Sequence, residues 1–368
     1  MAGSRLGAPI SPAARPLERL SPSLAEDLRT CGLRVAFHSD IQYAALRRIG
    51  PSAALGLVSH ELVEAAARGE FDAVAEAGLE EAFTRAWDRH VSNQAAQLAT
   101  QWPLGLVPPP DRWPAYQLTR VRLLRRLREE VRRPRGHTTG HVQQQVETWL
   151  APQGVPFIGR IDRAERREGE VELVDLKTGW TVAEDIRPAH RRQLLLYAYL
   201  WHEVHGEWPR TISIQRLDGH RSTLDVDPGE AQGLASEVAE QLAAYNRWMI
   251  SGKPTEELAS PSSEACAHCS YRSVCLPFFQ VLSEEWGWRR RSILGTILDT
   301  TREGVVGILK FSVEASNLIG HVDRARAIGI PTHLLPSPGT RVALVDATPT
   351  PVPADVRTAW DTYLFLWR

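Results

Sequence analysis

Two acidic residues and one lysine fall on neighbouring segments whose alternating pattern predicts β-strands. The first segment contains Gly159-Arg-Ile-Asp162 and the next contains Val174-Asp-Leu-Lys177-Thr-Gly. Side chains two positions apart on a strand point to the same side, so we expect Asp175 and Lys177 to face together. A hairpin between the segments brings Asp162 beside Asp175. Two carboxylates and a lysine suit a hard divalent cation such as Mg²⁺ and an anionic substrate.

Lysine is scarce in this chain, which makes Lys177 conspicuous. Of 43 cationic side chains only three are lysines, Lys177, Lys253 and Lys310. Lysine is a compact point charge whose pKa can move, whereas arginine stays charged, so lysine at position 177 favours a chemical role. The alternative is a salt-bridged pair on an exposed sheet face, which many strands carry.

Three further residues fall where such a site needs them. His60 lies on a helix predicted over 52–68, and a neutral imidazole can be a metal ligand. By itself, this histidine is more typical of a surface or core position than of a metal site. Gln193 and Tyr197 are four residues apart on a helix predicted over 188–205 and therefore share a face. They can hydrogen-bond the lysine, an attacking water or a phosphate, although Tyr197 also fits a core aromatic.

The cysteines form the second group with chemical potential. Three of the four crowd into the pattern Cys266-x2-Cys269-x5-Cys275, and Cys31 lies far upstream. Intracellular proteins rarely keep structural disulfides, so four thiols in this pattern predict a metal centre. Four thiolates fit Zn²⁺ or a 4Fe–4S cluster, and the spacing does not choose between them. Either centre would fasten the N-terminal helix to a distant part of the chain.

The composition sets the broad class. The chain has 368 residues, 43% hydrophobic and 24% charged, with a net charge of −1. These values exclude wholesale disorder, and there is no apolar run long enough for a membrane span. We see no secretory signal, so we expect a cytoplasmic protein that makes no membrane contact. Any binding of an anionic polymer must come from local basic patches.

Periodicity divides the chain into a flexible arm, an α/β core and a β-rich tail. Residues 1–20 are predicted to be the arm, and Ser21-Pro22 begins a helix that carries Leu24, Leu28 and Cys31. Further helices are predicted over 75–102, 116–133 and 229–250, and strands over 142–149, 155–163, 170–177, 210–217 and 221–226. From residue 286 to 368 the pattern predicts a small separate β-rich domain, with strands over 291–299, 304–313 and 340–346. An OB-type barrel, which would add a groove for a single strand, fits this pattern.

Taken in their order along the chain, the motifs resemble those of the PD-(D/E)XK nuclease superfamily and, within it, the RecB-like branch with an iron–sulfur cluster. AddB-type repair nucleases and CRISPR-associated iron–sulfur exonucleases belong to that branch. The resemblance covers Ser21 to about Pro277, and the tail has no match. The chain departs from the pattern after Cys31, where Gly-Leu-Arg replaces the frequent Pro-x-Arg, and it has no helicase motor. The resemblance rests on Ser21-Pro-Ser-Leu with Cys31, Gly56-x3-His60, Gly159-Arg-Ile-Asp162, Val174-Asp-Leu-Lys177-Thr-Gly, Gln193-x3-Tyr197 and the clustered cysteines.

The resemblance implies a fold and a reaction. The fold is α/β, with a mixed central sheet flanked by helices (a restriction-endonuclease-like core) over 21–285, a helical N-terminal part and a helical insertion at 70–135. Mg²⁺ or Mn²⁺ is bound by His60, Asp162, Asp175 and the Leu176 carbonyl, and Lys177 activates water and stabilises charge on phosphorus. Gln193 and Tyr197 position these groups, and Glu147 is a further candidate acid. The cofactor implied for Cys31, Cys266, Cys269 and Cys275 is a 4Fe–4S cluster, with Zn²⁺ as the alternative.

The function implied is hydrolysis of DNA, with single-stranded DNA as the expected partner and exonucleolytic attack as the expected mode. The setting is repair, recombination or defence, with a helicase or a recombination or defence protein as partner. The alternative is a catalytically silent DNA-binding scaffold that recruits such a protein.

A dense basic run supplies candidate DNA contacts, since phosphate neutralisation gives sequence-independent binding. The alternative interpretation of this run is a helix face that is simply exposed to water. The run comprises Arg120, Arg122, Arg125, Arg126, Arg128, Arg132, Arg133 and Arg135; a second group of Arg187, His190, Arg191 and Arg192 precedes Gln193.

Overall fold

A computed structural model describes residues 11–13, 15–74, 76–102, 104, 107–132, 143–177 and 186–367, with the side chains of 76 and 143–147 excepted. Several predicted features lie outside this part. They are Arg133 and Arg135 of the basic run, Thr178 and Gly179 after the lysine, most of the 1–20 arm and the side chain of Glu147.

The first sheet is mixed and five-stranded, in the order β1-β2-β3-β4-β5. Neighbours are antiparallel except for β3 and β4, which run parallel because a helix, Pro188–His205, connects them. Arg163 of β2 lies opposite Val174 of β3, so the register sets Asp162 level with the Asp175 end of β3. The strands are β1 Gln143–Leu150, β2 Gly159–Arg167, β3 Glu170–Lys177, β4 Thr211–Arg216 and β5 Arg221–Asp225.

Helices cover both faces of this sheet. One hydrophobic cluster joins α1, α2, α6 and α7 to the sheet, and a second cluster joins α3, α4 and α5 to Leu176 and Leu217 on the other face. This layering confirms the predicted mixed sheet flanked by helices, with a helical N-terminal part. The helices are α1 Pro22–Thr30, α2 Gly32–Ser39, α3 Pro51–Ala67, α4 Leu79–Gln101, α5 Tyr116–Val131, α6 Pro188–His205, α7 Pro228–Ile250, α8 Ser263–Ala267 and α9 Leu276–Val281.

The C-terminal strands close into a ring. The order β6-β7-β8-β10-β9 returns to β6, because β10 pairs in parallel with β8 and antiparallel with β9. Gly295 lies at a register shift in β6, where a Cβ would stand 2.3 Å from the Ser312 carbonyl oxygen, so only glycine lets the strand bend there. Ring closure supports the OB-type barrel, which stays a prediction. The strands are β6 Arg291–Glu303, β7 Val306–Ser316, β8 Arg324–Pro331, β9 Arg341–Pro349, β10 Asp355–Arg357 and β11 Tyr363–Trp367.

The ring of strands packs directly against the α/β core. Leu294, Val345 and Trp367 belong to the same hydrophobic cluster as α6 and α7. The indole N–H of Trp367 donates to the Ser273 carbonyl oxygen at 2.8 Å, in a buried position. The domain division at residue 286 stays a prediction, and the two parts share a continuous apolar contact.

The structure differs from the sequence prediction at α1. The helix ends at Thr30, and Cys31 has an extended backbone between α1 and the short helix α2, which periodicity did not predict. Ser21 does cap α1, since its hydroxyl accepts from the Leu24 amide at 3.2 Å. Cys31 is thereby held at a helix junction. No helix within the described ranges is long and apolar enough to span a bilayer.

Candidate active site

The two predicted carboxylates meet at the end of the β2–β3 hairpin. The Leu176 amide donates to Asp162 Oδ2 at 2.6 Å, a cross-strand bond that fixes the Asp162 carboxylate. His60 approaches from α3, with Nδ1 3.8 Å from the same oxygen. The structure therefore brings together three predicted metal ligands that lie on three different elements.

Burial and a neighbouring charge act on Asp162 in the same direction. Removal from water raises the pKa of Asp162, and the charge of Asp175 raises it further. His60, the Leu176 amide and Lys177 oppose this rise without cancelling it. Two carboxylates that repel each other in a partly dry cleft form an environment that a cation stabilises.

Asp175 and Lys177 share one side of β3, as the two-residue spacing predicted. Lys177 Nζ lies 2.9 Å from Asp175 Oδ2 and donates to Oδ1 at 3.2 Å. Asp175 Oδ2 is nevertheless a buried oxygen without a well-formed hydrogen bond. Nearby His190 has a lowered pKa, because burial and the charge of Lys177 both disfavour its protonation.

Gln193 and Tyr197, both on α6, lie near the two carboxylates, since the charges of Asp175 and Asp162 act on the Tyr197 phenol. Burial raises the pKa of Tyr197 to about 12, opposed by a hydrogen bond with Gln193 and reinforced by the charges of Asp175 and Asp162. The phenol therefore stays protonated at neutral pH and remains a hydrogen-bond donor. Its ring lies against Gly159 of β2, where a Cβ would stand 2.7 Å from Tyr197 Cε1.

The donor set suits Mg²⁺ or Mn²⁺. In the described part of the chain, no three His, Cys, Asp or Glu side chains are already arranged as a metal-binding group. The chemistry of the donors still fits: two carboxylates and a carbonyl supply hard oxygen ligands, the imidazole supplies a nitrogen, and Asp175 Oδ2 is buried with unused acceptor capacity.

A buried polar network lies behind the carboxylates, and sequence reasoning did not identify it. The side chain of Arg126 is 4% exposed and lines the same cavity as His60 and Asp162. It donates to Gln215 Oε1 at 3.0 Å and lies 3.3 Å from Glu130. Arg163 also donates to Gln215. The sequence contained a signal for this network. Arg163 is a charged residue inside the predicted strand 155–163, and Arg126 falls in the middle of the basic helix.

Arg126 therefore departs from the expectation of a DNA contact. Its guanidinium is enclosed by protein groups, which leaves no exposed face for a phosphate. The other four predicted contacts are at least partly exposed and each pairs with an acid of the chain. The pairs are Arg122–Asp218, Arg125–Glu129, Arg191–Glu230, and Arg192 with Glu237 and Glu26.

The four cysteines line one mainly apolar cavity although they are far apart in sequence. All four are free thiols. Burial raises the pKa of Cys269 to about 11, and the proximity of Cys266 and Cys31 adds to that rise. The same mutual effect acts on Cys275. Four thiols around one space have the donor chemistry of a thiolate-bound metal centre.

The segment that carries Cys266, Cys269 and Cys275, the cysteine loop, also joins the core to the strand ring. Arg272, between Cys269 and Cys275, donates to both carboxylate oxygens of Asp346 on β9, at 3.0 and 2.6 Å. A centre held by these cysteines would therefore fix the N-terminal helices, the loop and the ring together.

This chain matches a family model, and it has a limited likeness to a solved structure. The family model described as "PD-(D/E)XK nuclease superfamily" matches residues 19–276. A solved structure titled "Crystal structure of SSO0001" is 16% identical, and the match covers 37% of this chain and 60% of that chain with a TM-score of 0.24. This second likeness is too small to bear on function, and the match spans less than two thirds of that chain. No curated protein matches significantly.

Proposed function

Because the chain belongs to the PD-(D/E)XK nuclease superfamily, we propose that it is a Mg²⁺- or Mn²⁺-dependent deoxyribonuclease, with single-stranded DNA as substrate and exonucleolytic attack as mode. The observation that carries this proposal is the convergence of Asp162, Asp175, Lys177 and His60 on one cleft. In this proposal the four residues have the roles that the family resemblance implies.

The residues of the cleft divide the chemical tasks. A bound divalent cation supplies Lewis-acid polarisation of the phosphodiester and lowers the pKa of water. Asp162, Asp175, His60 and the Leu176 carbonyl would hold it. Lys177 orients the attacking water and donates to a phosphate oxygen as negative charge develops there. Tyr197, protonated at neutral pH, donates a hydrogen bond that Gln193 orients.

An exposed aromatic residue near the cleft supports a single-stranded substrate. Trp149 of β1 is 63% exposed and pairs in register with Arg160, which lies two residues before Asp162. The Arg160 guanidinium carbon is 6.0 Å from the Trp149 ring centroid. A base that is not paired can stack on such a ring, whereas the bases of a duplex are already stacked.

The thiol cavity supports a second cofactor. We assign Cys31, Cys266, Cys269 and Cys275 to a 4Fe–4S cluster with a structural role, and Zn²⁺ is the alternative.

Four arginines remain proposed phosphate contacts: Arg122, Arg125, Arg191 and Arg192. Phosphates would replace the acids that now pair with them. In this proposal a helicase or a recombination or defence protein supplies the single strand.

Degradation of end-labelled DNA tests the function directly. Single and double strands, each with free or blocked ends, are incubated with Mg²⁺, Mn²⁺ or EDTA. We expect metal-dependent loss of the single strand with a free end, protection by blocked ends, and no reaction in EDTA. Binding without cleavage under every metal condition would favour the silent scaffold and overturn the nuclease proposal.

A further inference from the structure

A second cavity, separate from the carboxylate cleft, lies where the α/β core meets the strand ring. Its volume is about 210 Å³. Five segments form its wall: the turn before α3, the end of α4, the cysteine loop, β9, and the connection that leads into β11. The lining includes Arg48, Trp102, Asp346, Trp360, Asp361 and Tyr363.

Arg48 is a largely desolvated cation that makes no salt bridge in the described part of the chain, although the charge of Asp346 acts on it. Its guanidinium carbon lies 3.2 Å from the centroid of the Tyr363 ring and 5.2 Å from that of Trp102. Its Nε is buried and has no hydrogen-bond partner. Burial lowers the pKa of Arg48 to about 10, which leaves the group charged at neutral pH. A half-buried guanidinium with an open Nε donor is a site for phosphate or carboxylate.

The acids of the cavity do not cancel this charge, because other arginines hold them. Arg272 binds both oxygens of Asp346. Arg290 Nη2 lies 2.9 Å from Asp361. Once Arg290 is counted with the wall, three arginines face two carboxylates, so this region carries an excess of one positive charge.

Two tryptophans give the cavity flat apolar surfaces. The rings of Trp102 and Trp360 are 5.6 Å apart at 72°. Trp102 is fixed by a hydrogen bond from Nε1 to the Ile49 carbonyl oxygen at 3.0 Å. Trp360 packs against Gly50, where a Cβ would lie 3.2 Å from its ring. Aromatic faces beside a guanidinium are the combination that binds unpaired nucleotides.

The cavity and the cleft lie along one helix. Gly50 precedes α3, and His60 is nine residues from Pro51 on that helix. At 1.5 Å per residue the two points are separated by about 14 Å along the axis. A few nucleotides of an extended strand cover that distance.

We propose that this cavity binds one unpaired nucleotide of a single-stranded substrate, with its base against Trp360 and Trp102 and its phosphate on Arg48. The proposal rests on the proposed nuclease function for the class of ligand, and it adds a strand-binding subsite remote from the bond that is cleaved.

Binding measurements separate this subsite from cleavage. A fluorescent single-stranded oligonucleotide of mixed sequence is titrated with Lys177→Ala protein in EDTA over a range of salt concentrations. We expect Trp360→Ala to weaken binding roughly 5- to 100-fold without changing the salt dependence. Arg48→Met should reduce the slope of log affinity against log salt by about 0.7, because one phosphate contact is lost. Arg48→Lys keeps the charge and the slope.

Two variants elsewhere are matched controls. Trp248→Ala removes a tryptophan of α7, and Arg324→Ala removes an exposed arginine of β8. Both should bind the oligonucleotide like the parent protein. Crosslinking of the unsubstituted protein to an oligonucleotide containing 5-iodouracil, followed by peptide mapping, does not depend on the folding of any variant. We expect crosslinks at Trp102, Trp360 or Tyr363.

The outcomes are distinct. Unchanged affinity and slope in Trp360→Ala and Arg48→Met, crosslinks confined to other peptides, or no binding of the single strand overturns the subsite. Failure of the nuclease proposal shows itself as uncleaved DNA in Mg²⁺ and Mn²⁺. Because the binding assay uses EDTA and a lysine variant, the subsite is tested in either case.

Discussion

Gly159 lies directly beneath the ring of Tyr197, so that a Cβ at position 159 would stand 2.7 Å from Tyr197 Cε1. This contact joins β2, which carries Asp162, to α6, which carries Gln193. The glycine that begins the Gly-Arg-Ile-Asp motif therefore sets the separation between the carboxylate and the phenol.

Gly159→Ala should displace Tyr197 and slow cleavage by up to about 100-fold, because misplacement by an ångström near the chemistry costs this much. Turnover of single-stranded DNA in Mg²⁺ measures the effect. If the alanine acts through the ring, Tyr197→Phe should add little loss in the Gly159→Ala background, a non-additivity that a double-mutant cycle detects.

Gly233→Ala is the matched control, because a Cβ there has no neighbour within 4 Å. It should leave cleavage unchanged and slightly increase stability, as expected for alanine replacing glycine within a helix. Equal loss of activity in both variants would contradict a specific role for the Gly159–Tyr197 contact.

Asp162→Asn should raise the unfolding temperature of the metal-free protein at pH 7. The pKa of Asp162 is raised in the folded state by burial and by Asp175. Stability therefore falls as pH rises above 3.8, the ordinary pKa of aspartate, and the penalty is complete once pH has passed the raised pKa of the folded state. Asparagine removes the charge and can still accept from the Leu176 amide.

Thermal scans at pH 7 and below pH 3.8 test whether Asp162→Asn is more stable than the parent protein only at the higher pH. The advantage of Asp162→Asn should disappear at the lower pH, where the aspartate is protonated in both states. Added Mg²⁺ should stabilise the parent protein more than the variant, because binding to the native state raises stability by mass action. An Asn variant that is less stable at pH 7 would oppose the electrostatic account.

Lys177→Ala should reduce cleavage by about 100- to 10,000-fold while the fold and DNA binding remain. Lys177→Arg should recover little, because a planar guanidinium does not replace a compact ammonium. Lys310→Ala, which removes an exposed lysine paired with Asp299, is the control and should cleave normally. Full activity in purified Lys177→Ala protein would refute the assignment.

Arg125 and Arg126 are adjacent and should behave in opposite ways. The side chain of Arg125 is 77% exposed and that of Arg126 is 4% exposed. Arg126→Met should destabilise the fold by about 3–5 kcal/mol, because it leaves Glu130 buried without its nearest cation. Arg125→Ala should change stability by less than about 0.5 kcal/mol and weaken DNA binding in low salt. Denaturant titration and binding assays distinguish the two; equal destabilisation would contradict the burial of Arg126.

Cys275→Ser should remove the bound metal and lower the unfolding temperature, because the centre is expected to join the N-terminal helices to the cysteine loop. Elemental analysis and visible absorption of anaerobically purified protein separate the alternatives. Iron, sulfide and a brown colour support the 4Fe–4S cluster, and stoichiometric zinc supports Zn²⁺. Protein that contains neither metal and is unaffected by the serine would contradict a metal centre.

The local sequence determined most of the elements and the pairing of Asp175 with Lys177. The two-residue spacing of Asp175 and Lys177 sufficed to predict their contact, because side-chain direction on a strand is a local property. Helical periodicity likewise predicted α3, α6 and α7 within a residue or two, and the order of the motifs carried the resemblance to the nuclease superfamily.

The tertiary structure decided which distant groups meet. His60 and Asp162 are about 100 positions apart and meet only after α3 packs on the sheet. The burial of Arg126 depends on Gln215, another distant residue, whereas the basic run by itself predicted a DNA contact or a solvated helix face. The three-residue strand β10, which closes the ring, is too short to show a period. Spacing encodes the direction of neighbouring side chains, whereas non-local contacts depend on how whole elements pack, which no short window of sequence contains.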